Sequence, residues 1–160
     1  MSVAIVDTSP LQYLFQWELL DLLPELLDEI VIPPAVEAEL AEGRRIGVAL
    51  PDPANYAWLK VCKVSGASLL PLAWDLGKGE KEVLAMALES PDSLVALDDR
   101  LARRAATALG IPLIRTLGLL LQAKSSGIIV AIAPVIDHLD SLGFRLDQDK
   151  RSAVLRLAGE

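Results

Sequence analysis

The chain has 160 residues, 52% of them hydrophobic but only 4% aromatic, and it carries a formal net charge of −7. This length predicts one domain, residues 1–160, with a core of aliphatic side chains. One cysteine, Cys62, and one histidine, His138, exclude a disulfide framework within the chain and metal sites built from several cysteines or histidines. Any bound metal must therefore be held mainly by oxygen ligands, which favours Mg²⁺ or Mn²⁺.

The charge and the hydropathy pattern limit where the protein works. The first residues lead into Asp7 without a basic stretch, so no signal peptide is expected. The most apolar region, residues 113–136, is interrupted by Arg115 and Lys124 and is not expected to span a membrane. We predict a cytoplasmic protein. Its negative charge disfavours nucleic-acid binding unless a local basic patch, a metal or a basic partner compensates.

Short apolar runs alternate with helical patterns along the chain, which predicts a parallel sheet flanked by helices. In chain order, strands are predicted at residues 3–6, 29–32, 58–64, 93–97 and 111–114. Helices are predicted at residues 11–23, 35–43, 80–89, 100–109, 116–126, 133–142 and 147–158. The strand at 58–64 alternates and is expected at a sheet edge, and a loop is expected around Gly66 and Pro71.

Acidic residues stand where these elements begin or end. Asp7 follows the first strand, and Asp98 and Asp99 follow the fourth. Glu39 lies on the helix after the second strand, and Glu80 begins a later helix. Singly, each acid has a structural explanation as a helix cap, a dipole partner or a solvated side chain. At the carboxyl edge of the strands, where α/β sheets bind ligands, these carboxylates would repel each other unless a cation neutralised them. A cation held by several carboxylates is suited to phosphodiester hydrolysis.

The order of these acids resembles the PIN domain. The segments that carry the resemblance are VDTS at 6–9, PPAVEAEL at 33–40, GEKEVLAMALE at 79–89 and LDDR at 97–100. RTLGLLLQAK at 115–124, followed by Gly127, is similar to a poorly characterised PIN-like branch. The resemblance extends over residues 5–144. It implies a three-layer α/β/α sandwich with a mostly parallel sheet and an endoribonuclease that depends on Mg²⁺ or Mn²⁺.

The resemblance also implies a set of site residues. The acids at the family's catalytic positions are Asp7, Glu39, Glu80 and Asp99. Those at its metal-ligand positions are Asp7, Glu80, Asp98 and Asp99, with either Asp98 or Asp99 facing the metal. Ser9 resembles the small hydroxyl residue that helps to order the site.

Two positions depart from the family's pattern. Leu97 precedes Asp98 where relatives carry a small polar residue, and Glu80 stands where they more often carry Asp.

Many relatives are toxins of toxin–antitoxin pairs and many are dimers. An antitoxin protein, a second copy of the chain and an RNA substrate are therefore the implied partners.

Arginines form the one notable basic cluster of the sequence. Arg100, Arg103 and Arg104 are spaced to share a helix face. We predict that Arg100, Arg103 and Arg115 contact RNA phosphates beside the acids. For Arg103 and Arg104 the alternative is a solvated side chain or an ion pair with an acidic residue.

Other features have mainly structural interpretations. The scattered Trp17, Trp58 and Trp74 are expected to pack in the core or at an interface, with base stacking as the alternative. Cys62 is expected to be a buried small hydrophobic residue, and His138 a surface residue.

Two competing functions remain open at this point. One is a PIN-like module that acts through protein association, favoured by the negative charge and by the leucines at residues 19–27 and 117–121. The other is a receiver-like phosphoacceptor, suggested by the pair Asp98 and Asp99. The receiver-like function ranks last because that pair falls late in the chain and Arg115 stands where a lysine would be needed.

Overall fold

The computed structural model describes residues 3–65, 75–143 and 146–160. Within them, five parallel strands form one sheet in the order β3-β2-β1-β4-β5. The strands are β1 Val3–Val6, β2 Glu29–Ile32, β3 Leu59–Val61, β4 Ser93–Ala96 and β5 Leu113–Ile114. Strands β1, β2 and β4 are mostly buried apolar runs, as expected for parallel strands covered on both faces.

Helices follow the strands along the described chain. They are α1 Thr8–Gln16, α2 Leu22–Leu26, α3 Pro34–Arg45, α4 Lys78–Glu89, α5 Arg100–Ala108, α6 Thr116–Ser125, α7 Ala133–Ser141 and α8 Gln148–Leu157. A 3₁₀ turn lies at Pro53–Asn55. The predicted α/β sandwich is confirmed, and most predicted elements end within a few residues of the observed ones. The loop predicted around Gly66 and Pro71 lies outside the described residues, as does Trp74.

The single helix predicted over residues 11–23 is wrong. Helix α1 ends at Gln16, and Glu18 adopts a left-handed conformation with φ 61°. The amide of Leu19 then donates to the carbonyl oxygen of Leu14 at 2.7 Å, which closes the turn before α2. The leucine spacing suited one long helix, but two short helices bury the same side chains. A left-handed turn at one position is not visible in apolar periodicity.

The leucine-rich segments pack inside the protein. Leu20, Leu22 and Leu23 are buried, as are Leu119 and Leu120 of α6. Helix α6 packs against α1 and α2. Core packing therefore accounts for these leucines, which removes one argument for a protein-association module.

Trp17 and Cys62 differ in their burial. Trp17 is buried against the core, as expected. Cys62 is exposed, so its predicted burial is wrong; it directly follows the edge strand β3. No helix of the described ranges is long and apolar enough to cross a membrane.

The C-terminal helices are tied together through Glu160. Its carboxylate pairs with Lys124 of α6 at 2.8 Å and accepts hydrogen bonds from the amides of Ile132 and Ala133, at the start of α7. The bond from Lys124, followed by that from the Ile132 amide, lowers the pKa of Glu160 to about 2. One carboxylate thus stabilises the contact between two helices.

Replacing Glu18 by glycine is expected to stabilise the protein by up to about 1 kcal/mol, because glycine adopts positive φ without the steric cost of a Cβ atom. Urea unfolding of Glu18→Gly measures the change. Glu25→Gly, within the regular helix α2, serves as the control and should destabilise by about 1 kcal/mol. Loss of stability in Glu18→Gly would show that the left-handed backbone at this position carries no steric cost.

Candidate active site

The strand register brings several polar residues to one edge of the sheet. Val6 of β1 lies beside Ala96 of β4, which in turn lies beside Ile114 of β5. The amide of Asp7 donates to the carbonyl oxygen of Ala96 at 3.1 Å, continuing the ladder by one residue. Asp7 and Asp98 therefore leave neighbouring strands at the same carboxyl edge, as the sequence predicted.

Asp7 is the most buried of the predicted acids, with only 4% of its surface exposed. It occupies the N-cap position of α1, yet its side chain makes no capping hydrogen bond to that helix. Burial raises its pKa to about 7, and the nearby carboxylates of Glu80, Glu39 and Asp98 add to the increase, while the Thr8 amide opposes it. A helix cap therefore does not explain this buried acid.

Glu39 is held in place by two other elements. Its Oε2 accepts from the Thr8 hydroxyl of α1 at 2.5 Å, and its Oε1 accepts from the Gly79 amide of α4 at 3.0 Å. Gly79 is required for this approach, because a Cβ atom there would lie 2.5 Å from Oε1 of Glu39. Glu39 thus links α1, α3 and α4 around the edge of the sheet.

Glu80 and Asp99 each use one oxygen for a helix terminus. Oε2 of Glu80 accepts from the Gly77 amide at 2.7 Å, and Oδ2 of Asp99 accepts from the Ala102 amide at 2.9 Å. Partial burial raises the pKa of Glu80, and the carboxylates of Asp99 and Glu39 raise it further. The second oxygen of each side chain makes no hydrogen bond within the described residues.

Asp98 has a different role from its neighbour. Its Oδ1 accepts from the amide of Thr116 at 2.9 Å and its Oδ2 from the hydroxyl of the same residue at 2.5 Å. Asp98 therefore ties the end of β4 to the start of α6. Both oxygens of Asp98 thus accept hydrogen bonds, whereas Asp99 has one oxygen that accepts none within the described residues.

No group of three acidic, histidine or cysteine side chains in the described parts of the chain is close enough to hold a metal ion in this structure. The predicted convergence of at least three carboxylates within metal reach is therefore not seen. Like charges favour separation, and four of the acids accept hydrogen bonds from nearby amides and hydroxyls instead. The open oxygens of Asp7, Glu80 and Asp99 are nonetheless hard donors, and they fit Mg²⁺ or Mn²⁺ in chemistry.

Arginines of α5 line a groove that starts beside the acids. Arg100, Arg103 and Arg104 form its wall with Leu113. Nε of Arg103 donates to the backbone oxygen of Asp98 at 3.2 Å, and the ion pairs of the described residues include none of the three arginines. The groove is thus a local basic surface on an acidic protein. Arg115 is exposed but lies outside this groove.

Sequence reasoning missed the residues that hold the acids. Thr8, Gly79 and Thr116 donate the bonds to Glu39 and Asp98, and each of the three stands at the start of a helix. That placement marks all three as available donors, but the sequence does not show which acid each donor meets. The hydroxyl of Ser9 makes no hydrogen bond within the described chain, so its ordering role stays a prediction. His138 is exposed, as expected.

A known protein family and a solved structure are similar to this chain. A family model described as a PIN domain matches residues 3–160. Among solved structures, the chain is similar to the PilT N-terminus domain protein SSO1118 from the hyperthermophilic archaeon Sulfolobus solfataricus P2, with a TM-score of 0.56 and 18% identity over 76% of this chain and 92% of that chain. At this identity the likeness concerns the fold alone. No curated protein matches the chain significantly.

Gly79→Ala is expected to destabilise the protein by about 1–3 kcal/mol, because the new methyl group displaces Glu39 and breaks a hydrogen bond to a charged group. In a Glu39→Ala background the sign should reverse, since alanine is then favoured over glycine in α4 by about 1 kcal/mol. A double-mutant cycle by urea unfolding measures the coupling. Additive effects would show that the two residues do not interact.

Stability of the protein in EDTA should fall with rising pH because Asp7 is buried. In the unfolded chain this carboxyl ionises near the ordinary aspartate pKa of 3.8, whereas in the folded protein it stays protonated up to about pH 7. The stabilisation is complete below about pH 4 and is lost by about pH 7, in total roughly 4 kcal/mol. Glu80, whose pKa is also raised, contributes in the same direction.

Asp7→Asn is expected to remove most of this fall, because the amide does not titrate. Urea midpoints at about pH 5 and about pH 8 measure it. Asp149→Asn, at an exposed position of α8, should keep the wild-type fall. Equal pH dependence in the wild type and in Asp7→Asn would show that Asp7 ionises normally.

Proposed function

The chain belongs to the PIN-domain family, whose fold is generally that of a nuclease, and we propose that it is a divalent-metal-dependent endoribonuclease. The observation that carries the proposal is the gathering of acids at the carboxyl edge of the sheet. Burial and the neighbouring carboxylates raise the pKa of Asp7 to about 7, which reflects a site where added positive charge would be favourable.

The residues divide into two groups by their contacts. Asp7, Glu80 and Asp99 keep an oxygen available and would hold Mg²⁺ or Mn²⁺. Glu39, which the resemblance to the PIN domain implied as a catalytic acid, and Asp98 are already hydrogen-bonded through both oxygens, and they position the surrounding helices. When bound, the cation would orient a water molecule and stabilise charge on the leaving oxygen. No side-chain nucleophile is then needed.

The basic groove supports RNA as the substrate. Its arginines begin at Arg100, directly after Asp99, so a phosphate backbone in the groove would lead into the acids. Three arginines on a chain with a net charge of −7 supply the local positive surface that nucleic-acid binding requires. Arg103 also contacts the backbone of Asp98, which couples the groove to the acidic edge.

The proposal includes partners and a location. An antitoxin protein and a second copy of the chain are the partners that the PIN family suggests, and the cytoplasm supplies the RNA. Light scattering of the purified protein tests self-association. A stable monomer would remove the dimer from the proposal and leave the nuclease activity to be judged separately.

Asp7→Asn is expected to abolish Mn²⁺ binding and to lower RNA cleavage at least about a hundredfold, because metal-assisted hydrolysis loses several kcal/mol of transition-state stabilisation. Calorimetric titration with Mn²⁺ and cleavage of a labelled single-stranded RNA measure the two effects. The circular dichroism spectrum should be unchanged, which separates loss of the site from loss of the fold.

Asp149→Asn makes the same chemical change at an exposed position of α8 and should leave binding and cleavage intact. Cleavage retained by Asp7→Asn would refute the site. Wild-type protein that neither binds Mn²⁺ nor cuts RNA would favour the alternative of a catalytically inactive module that acts through protein association.

Arg100→Gln combined with Arg104→Gln should weaken binding to RNAs of every sequence and reduce the slope of log affinity against log salt by about 0.7 for each lost phosphate contact. Arg156→Gln removes an exposed charge of α8 outside the groove and is the matched control. Fluorescence anisotropy at several salt concentrations measures the slope. An unchanged slope in the groove variant would show that RNA follows another path.

A further inference from the structure

The three arginines of the basic groove differ in how they are held. The side chains of Arg100 and Arg104 are exposed and make no hydrogen bond within the described residues, whereas Arg103 is half-buried. Nε of Arg103 donates to the backbone carbonyl oxygen of Asp98 at 3.2 Å. Arginine side chains lose rotamer freedom when they are ordered, and Arg103 has lost part of it before any ligand binds.

The backbone of Arg103 contacts the second acid of the pair. Its amide donates to the carbonyl oxygen of Asp99 at 2.9 Å, which is a helical bond of the first turn of α5. Arg103 therefore reaches the backbone oxygens of Asp98 and Asp99, the two acids that follow β4. Because it also lines the groove, its guanidinium lies where the groove meets the acidic edge.

The outer part of this guanidinium is available for a ligand. Nη1 and Nη2 of Arg103 make no hydrogen bond or ion pair with any residue that the structure describes. The two terminal amino groups of a guanidinium lie in one plane at a spacing that matches two oxygens of a phosphate. The bond from Nε thus orients the side chain and leaves both terminal groups for an anion.

We propose that Arg103 contacts the phosphate that is cleaved, while Arg100 and Arg104 hold neighbouring phosphates of the RNA strand. The inference rests on the proposed function and names a catalytic residue of that site besides the acids. It follows from the difference among the three arginines, since the side chain of Arg103 alone among them is bonded to the backbone of the acidic edge. A donor fixed in advance stabilises developing charge without having to be ordered during the reaction.

Hydrolysis of a phosphodiester places charge where Arg103 would donate. A water oxygen forms a bond to phosphorus and releases a proton to solvent. The bond from phosphorus to the leaving ribose oxygen breaks, and that oxygen keeps the electron pair and takes up a proton. Negative charge is spread over the phosphoryl oxygens during this exchange, so two N–H donors aimed at them favour the transition state over bound RNA.

Single-turnover cleavage of a labelled single-stranded RNA at saturating protein separates Arg103 from its neighbours. Arg103→Gln should lower the saturated rate about hundredfold, the effect of losing one fixed donor to a transition-state oxygen. Arg104→Gln makes the same chemical change one residue later and should lower the saturated rate much less. By fluorescence anisotropy in EDTA, Arg103→Gln should weaken RNA binding no more than Arg104→Gln does.

Calorimetric titration with Mn²⁺ in the absence of RNA distinguishes this role from a merely structural one. Removing a positive charge beside carboxylates should leave Mn²⁺ affinity unchanged or increase it, because like charges repel. If Arg103 only holds Asp98 in place, Arg103→Gln should weaken Mn²⁺ binding as well as cleavage. Weaker Mn²⁺ binding by a folded Arg103→Gln protein would therefore overturn the proposal.

A second variant keeps the test valid if Arg103→Gln does not fold. Arg103→Lys retains the charge but replaces two planar donors by one ammonium group, and its saturated rate should also fall. Cleavage at the wild-type rate by folded Arg103→Gln or Arg103→Lys protein would overturn the role of Arg103 and leave the nuclease standing. A wild-type protein that binds RNA but does not cut it would overturn the nuclease and this role with it.

Discussion

Repulsion between carboxylates at one edge of the sheet is the constraint on which the rest of the site depends. Parallel strands in register bring Asp7 and Asp98 together, and the helices add Glu39, Glu80 and Asp99. Four of these acids accept hydrogen bonds from the protein, and most of the donors stand at the starts of helices. The charges that oppose folding are thus also the groups that connect the helices around the edge.

The same arrangement explains why a buried acid is tolerated. Asp7 lies among apolar core residues at the end of β1, where leucine or valine would be more stabilising, and its ionisation at neutral pH costs stability. Residues that lower stability in this way are common at functional sites, where the chemistry requires them. Most of the chain around it follows the ordinary rules of a covered parallel sheet.

Much of the fold could be predicted because it depends on local pattern. Apolar runs identified the strands, and the succession of strands and helices predicted that they run parallel, which placed the acids at one edge. The break at Glu18 was not predictable, since apolar spacing continues through it. The partners of Glu39 were also beyond reach, because Thr8 and Gly79 lie 31 and 40 residues away in the sequence and meet it only in the folded chain.

The missing side chain at Gly79 has a consequence for how this sequence can change. Oε1 of Glu39 occupies the space that a Cβ atom at position 79 would need. The constraint has a direction: the acid at 39 can be shortened while glycine stays at 79, but a side chain at 79 requires a shorter or absent acid at 39. Among related sequences the two positions should therefore covary, and a designer who wishes to move this acid must redesign both helices at once.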